Sequence, residues 1–304
     1  MGAMGVTIPF AREMAFTYGE AQQISPLVRR VVARNPSLFT LHGTNTYLVG
    51  RGRVAIIDPG PLLREHQAAV RRALGGDTVT HILVPHRHLD HCEGAAALAQ
   101  ETGAVLAAAG PGAPTAALPG HHHEEGVDPA FAPGVILSSG NRVEGPDWRL
   151  EVLATPGHTS DHLCLALLQD GILFTGDHVM GWSTSVVIPP DGDMRAYVAS
   201  LRLLLARRES SYLPGHGPAI TKPQPYITAL LAHRAERERE ILAALGGGRR
   251  HVAGIVTAVY ADVDPRLHPA AALSVLAHLR ALVAEKRVIC KGPPTLEAEF
   301  GPGH

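Results

Sequence analysis

Four potential metal ligands fall within six residues, His86-Arg87-His88-Leu89-Asp90-His91, directly after the apolar run His81-Ile82-Leu83-Val84. Neutral imidazoles and carboxylates are the donors that a borderline cation such as Zn²⁺ prefers. A tight turn at a strand end can aim two of these histidines at one ion and the Asp-His pair at another. A polar turn with unrelated histidines would leave unexplained the further His or Asp that ends three other strand-like runs. The chemistry such a set supports is hydrolysis. Two divalent ions roughly 3.5–4 Å apart share a water, bring its pKa toward about 7 and polarise a scissile carbonyl or phosphoryl oxygen. The expected nucleophile is a metal-bridging hydroxide, with Asp90 as the catalytic residue that orients the water or takes its proton. Two zinc ions are expected because hydrolysis needs no redox chemistry; the ligand types also suit iron or manganese.

Strands must deliver these side chains to one place. β-rich runs are expected at Thr44 to Val49, Val54 to Ile57, His81 to Val84, Val105 to Ala108, Leu150 to Leu153, Leu163 to Leu167 and Ile172 to Phe174, alternating with helical stretches as in an α/β layered domain. Asp58-Pro59-Gly60, Pro85-His86-Arg87-His88, Thr155-Pro156-Gly157-His158 and Thr175-Gly176-Asp177 follow such runs, so their side chains should gather at one rim. From Gly110 to Pro133 a Gly-, Pro- and Ala-rich surface excursion carries His121, His122 and His123, which read as a solvated loop rather than a metal cluster.

Composition shifts at Pro223-Gln224-Pro225. A long helix from Tyr226 to Leu245 follows, whose charge run Arg234 to Glu240 reads as a solvated face with ion pairs, ended by Gly246-Gly247-Gly248. Two more helices, Val252 to Tyr260 and Pro269 to Ala284, precede a hairpin of Arg287 to Cys290, the turn Lys291 to Pro294 and Thr295 to Phe300. Three helices and a hairpin suggest a winged-helix-like module. The expected division is a catalytic domain over 1–222 and a helical domain over 223–304.

Composition bounds the function. The 304 residues are 45% hydrophobic and 18% charged with a net charge of -1, and no run of about 18 apolar residues could span a bilayer. A membrane role is therefore not expected, and there is no global basic field for nucleic acid. Three scattered cysteines, Cys92, Cys164 and Cys290, point to a reducing cytoplasm. Eighteen histidines are many for this length and direct attention to metal sites.

The motif HxHxDH at His86, His88, Asp90 and His91 resembles that of the metallo-β-lactamase superfamily, and further motifs follow in that family's order. Asp58 in Ile57-Asp58-Pro59-Gly60 resembles its first acidic residue, which supports the ligands. His158 resembles the third motif, Asp177 the bridging carboxylate, and His216 in Pro214-Gly215-His216-Gly217-Pro218 the last ligand. The resemblance covers roughly Leu41 to Pro218 and implies an αββα sandwich followed by the small winged-helix-like domain. It implies one metal on His86, His88 and His158, another on Asp90, His91 and His216, and Asp177 between them. Pro85 stands where the family often has Thr, and Cys92-Glu93-Gly94 where small residues are commoner; neither departure removes a ligand. Cys92 is expected as a buried small residue rather than a reactive thiol. His162 is a candidate hydrogen-bonding partner within the site.

Lactamases proper generally lack the bridging Asp, so Asp177 argues against antibiotic hydrolysis. Only 38 residues separate Asp177 from His216, too few for the domain that nucleic-acid-processing members insert there. The C-terminal segments Ala261 to Pro265 and Ser274 to Leu279 resemble the lactamase-beta-like 2 family, which includes hydrolases of unassigned substrate and a single-strand endoribonuclease. Three readings compete: a hydrolase of a small thioester, ester or lactone, an RNA phosphodiesterase, and a non-enzymatic DNA-binding module. From Pro223 onward ten Lys and Arg stand against eight Asp and Glu, so no phosphate track is evident. Pro269 to Ala284 is mostly Ala, Leu and Val and reads as a packing helix rather than a recognition helix. A small-molecule substrate is favoured, with RNA and a homodimer as the other partners considered. Gly181 to Ser185 should line the cavity, which makes Ser183 and Thr184, together with Asn45 and Tyr197, the candidate substrate contacts.

Overall fold

The computed structural model describes residues 6–112, 126–128, 130–261 and 264–303, so His121 to His123 lie outside the described residues. One sheet runs in spatial order through β1 (Ala21–Ser25), β2 (Val28–Val32), β3 (Asn45–Val49), β4 (Arg53–Ile57), β5 (Thr78–Val84), β6 (Val105–Ala108) and β7 (Val135–Ile136). It is antiparallel as far as β4 and parallel beyond, the crossovers being made by α1 (Arg64–Leu74) and then by α2 (Leu89–Cys92) and α3 (Ala95–Thr102). The second sheet holds β8 (Arg142–Glu144), β9 (Arg149–Ala154), β10 (Leu163–Leu167), β11 (Ile172–Gly176) and β12 (Ser211–Pro214) in the order β12-β11-β10-β9-β8. α4 (Met194–Leu205) links β11 to β12, which pair in parallel.

Side-chain alternation explains the layering. Every residue of β10 is buried: Leu163, Leu165 and Leu167 enter the core between the sheets, while Cys164 and Ala166 face helices. In β4, Ala55 and Ile57 point to that same inter-sheet core and Val54 and Ile56 point outward beneath α1 and α3. Each sheet is thus apolar on both faces and needs a helical layer, giving the expected αββα sandwich.

α5 (Pro223–Gly246) is shared. Tyr226, Ile227 and Leu230 pack with α4 on the second sheet, whereas Ile241 and Leu245 join the core of α6 (Val252–Val259), α7 (His268–Ala284), β13 (Val288–Cys290) and β14 (Phe300–Pro302). A cut between 222 and 223 therefore falls at the start of a helix that serves two cores. α7 buries Ala271, Leu273, Val275, Leu276, Leu279 and Leu282, as a packing helix does.

Two expectations change. Arg234, read as part of a solvated face, is only 5% exposed, and Arg237 donates to the carbonyl of Val259 and stacks on Tyr260 at 4.4 Å. The run does make surface pairs further on, as in Arg237 with Glu240 at 2.7 Å and Glu238 with Arg287 at 2.6 Å. The terminal hairpin has a later return strand than expected, because Val288 pairs with Pro302 and Cys290 with Phe300. Burial sets that register: Val288 and Phe300 both point into the module core, and Pro293 and Pro294 offer no N–H for pairing.

Candidate metal centre

Five strand ends converge. β5 leads into His86 and His88 and, through α2, Asp90 and His91; β9 leads to His158, β11 to Asp177, β12 to His216 and β4 to Asp58. The ring nitrogens of His86, His88 and His158 lie within 4.8 Å of one another, as do single ligand atoms of Asp90, His91 and His216 and of His86, His91 and Asp177. His86 Nε2 and His158 Nε2 stand 3.0 and 3.2 Å from His88 Nδ1. Asp177 offers Oδ1 to His91 Nε2 at 3.5 Å and Oδ2 to His216 Nε2 at 3.4 Å, and Asp90 Oδ2 lies 3.3 and 3.1 Å from the same two nitrogens. All seven expected ligands are brought together.

Surrounding contacts fix which nitrogen faces inward in His91, His158 and His216. His91 Nδ1 donates to Asp58 Oδ1 at 2.6 Å, His158 Nδ1 to the Val186 carbonyl at 2.6 Å and His216 Nδ1 to the Gly43 carbonyl at 3.3 Å. Asp58 reaches beneath His91 from a left-handed backbone with φ of 58°, a conformation costly for a non-glycine residue. His162 accepts the backbone N–H of Asp177 at Nε2 (3.1 Å), which leaves Nδ1 to donate to Thr155 Oγ1 (2.9 Å). Gly215 must be glycine for reasons of space: a Cβ there would lie 2.6 Å from Asp177 Oδ1 and 2.7 Å from His91 Cε1.

The electrostatics divide the centre in two. Burial, reinforced by neighbouring histidines, holds His86 well below the ordinary imidazole range and His88 at about 3, so both are neutral donors. Burial would also lower His91 and His216, but the carboxylates around them outweigh it: Asp90, Asp58 and Asp177 raise His91 well above its usual range, and Asp177 and Asp90 carry His216 to about 10. Burial would raise the acids, yet His91 and His216 bring Asp90 down to about 2 and Asp177 well below the carboxylate range. Two ionised carboxylates, Asp90 and Asp177, thus face His91 and His216, which they hold protonated, beside the neutral His86 and His88; a divalent cation binding there would displace those protons and take over their charge pairing. Among the described residues the buried atoms His91 Nε2, His216 Nε2, Asp90 Oδ1 and Asp177 Oδ1 have no hydrogen-bond partner. Orphaned buried donors and acceptors of this kind are costly unless something else satisfies them, and divalent cations fit.

This fold and this order of ligands at strand ends are those of a known family. Residues 39–216 match the metallo-beta-lactamase superfamily, and residues 252–292 match the beta-lactamase associated winged helix domain. The chain belongs to the metallo-beta-lactamase superfamily. Among superfamily relatives it is 31% identical to the beta-lactamase-like protein 2 homolog of Caenorhabditis elegans, over 79% of each chain. It is 32% identical to the atrochrysone carboxyl ACP thioesterase of Paecilomyces divaricatus, over 74% of this chain and 67% of that one. Two solved structures share the fold: a metallo-beta-lactamase family protein of Thermus thermophilus (TM-score 0.73, 23% identity, 92% of this chain and 100% of that one) and a beta-lactamase domain protein of Burkholderia ambifaria (TM-score 0.76, 20% identity, 100% and 99%).

The cleft over the centre is lined by Ser183 and Thr184, as expected, beside His158 and Asp177. Trp182, from the same expected Gly181 to Ser185 stretch, also lines it, while Leu38, Phe39, Met180 and Val186 were not foreseen, with Leu38 81% exposed at the mouth. Asn45 and Tyr197 do not reach it, since both are 0% exposed. Asn45 instead donates to the carbonyls of Pro214 and Gly217, one on each side of His216, at 3.0 and 2.9 Å. Tyr197 packs its ring on His178 at 4.7 Å, and its backbone fits against Gly157, where a Cβ would come within 2.3 Å of Tyr197 Cα. Cys92 is buried, and burial pushes its thiol up to about 12, which suits packing and not reactivity. Thr44 was also missed; its Oγ1 receives Asn35 Nδ2 at 3.0 Å and reaches Asp90 Oδ2 at 3.4 Å.

Proposed function

We propose that this superfamily hydrolase is a dinuclear zinc enzyme of the cell interior that cleaves a small acyl thioester, with esters and lactones as related substrates. The observation that carries the reading is the pair of three-donor groups flanking Asp177 beneath a cleft whose wall is largely apolar. His86, His88 and His158 would hold one ion, Asp90, His91 and His216 the other, with Asp177 between. When bound, divalent ions supply Lewis acidity toward a carbonyl oxygen and acidify a water toward a pKa of about 7. Leu38, Phe39, Trp182 and Val186 would bury the apolar part of the acyl group, and Ser183 and Thr184 offer hydroxyls to its polar end. Asp90 Oδ1, without a hydrogen-bond partner among the described residues while Thr44 and His216 engage Oδ2, accepts the water proton as the water adds to the carbonyl carbon. The C–S bond then breaks, and the departing sulfur takes that proton. The thioester preference is supported by the relative named as a thioesterase and by a cleft wall that, among the described residues, carries no formal charge other than the ligands.

The test is elemental analysis of the purified protein together with turnover of a thioester, a lactone, a phosphodiester, a β-lactam and single-stranded RNA. About two zinc ions per chain with thioester or lactone turnover is the expected result. RNA cleavage without thioester turnover would overturn the substrate class, and iron without hydrolysis would overturn the mechanism.

A further inference from the structure

Arg234 lies on α5 between the two family matches, which end at 216 and begin again at 252. It is buried, and among the described residues it forms no ion pair. A buried cation without a carboxylate is expensive, so its remaining contacts must account for it. Its Nη2 donates to the Ser185 carbonyl at 2.6 Å, and its guanidinium stacks on the Tyr197 ring at 4.9 Å.

Those two contacts meet the centre from two sides. Ser185 Oγ donates to the carbonyl of His178, the residue after Asp177, at 2.8 Å, and the carbonyl of Val186, the residue after Ser185, receives His158 Nδ1. Tyr197 packs against His178 and backs the Gly157 turn that presents His158. The Ser185-Val186 dipeptide is therefore tied to two ligand-bearing loops, and Arg234 is what ties it to the helix shared with the appended module.

We propose that Arg234 is a positioning residue for the metal centre, holding the 183–187 loop so that Val186 orients His158 and Ser185 steadies the backbone after Asp177. The winged-helix extension then takes part in metal binding through α5, beyond its packing role. An arginine suits the position because one planar group can stack on Tyr197 and donate to Ser185 at once. This inference rests on the metal-centre reading above.

The test is metal titration and the visible spectrum of the Co²⁺-loaded full-length chain for the parent, R234M and R234K. R234M fills the same apolar space without charge or donor. It should keep parental helix content, bind one of the two ions about tenfold to hundredfold more weakly, the usual range for residues that orient ligands, and shift the Co²⁺ bands. R234K retains a cation and a donor but not the planar stack, so it should recover only part of the affinity. A folded R234M with both parental affinities and the parental Co²⁺ spectrum would overturn the inference, whatever its thermal stability. If R234M does not fold, R234Q, whose shorter side chain stops short of Ser185, is measured with the same two outcomes. A parent that binds no ions would instead overturn the reading of the centre itself.

Discussion

Three of the ligands, His91, His158 and His216, are held through Nδ1 so that Nε2 faces the centre, and substitutions at a ligand and at a residue that orients one should behave differently. Asp177→Ala removes a carboxylate facing both donor groups, so zinc content and turnover should fall together; a fully active, fully metallated variant would remove Asp177 from the centre. Asp58→Asn keeps a hydrogen-bond acceptor beneath His91 Nδ1 but takes away its charge. Zinc affinity, measured by competition with a chelator, should drop about tenfold to hundredfold with the stoichiometry intact. A loss no smaller than that of Asp177→Ala would mean that Asp58 acts as more than an orienting residue.

The elements serve as levers that end at one rim. β10 is buried on both faces, so Leu165→Ala opens a cavity in the inter-sheet core and should cost about 2–5 kcal/mol in urea unfolding. Turns at strand ends are less forgiving of added atoms than of lost ones. Gly215→Ala places a methyl against Asp177 and His91, and it should lower zinc content while leaving far-UV circular dichroism unchanged. Full metal loading of that variant would show that the β12 turn gives way easily.

Across the whole molecule, buried neutral histidines tie stability to pH. Burial, then Arg234 and Arg237, lowers His278 to about 3, and burial lowers His66 to about 4 against a backbone hydrogen bond at Pro59 that opposes it. The unfolded chain takes up protons below about 6.5 at positions that stay neutral in the fold. Their contribution is therefore intact above that pH and lost as pH falls toward 4, with a slope of about 1.4 kcal/mol per pH unit for each group. His278 Nε2 has no hydrogen-bond partner among the described residues, so His278→Leu should fold. Between pH 6 and 4.5 its unfolding free energy should depend on pH less steeply than the parent's by about that amount. An unchanged slope would mean that His278 is protonated in the folded protein.

What the sequence determined was the donor set and the frame that carries it. Ligand types at the ends of apolar runs need no long-range knowledge, because a strand and its following turn are local and alternation reports which faces are buried. The residues that complete the centre were of another kind. Val186 contributes a carbonyl, Thr44 acts through a buried hydroxyl that reaches Asp90, and Leu38 and Phe39 arrive from a loop far off in sequence; nothing in their local pattern marks them. β1 and β2 were missed because polar residues such as Gln22 and Arg30 satisfy one another across the pair and hide the alternation. Arg234 was misread for the same reason that charge runs mislead in general. A helical pattern gives the spacing of faces, but which face lies against another element is decided only when α5 docks on the sheet and the loop beneath it supplies the acceptor.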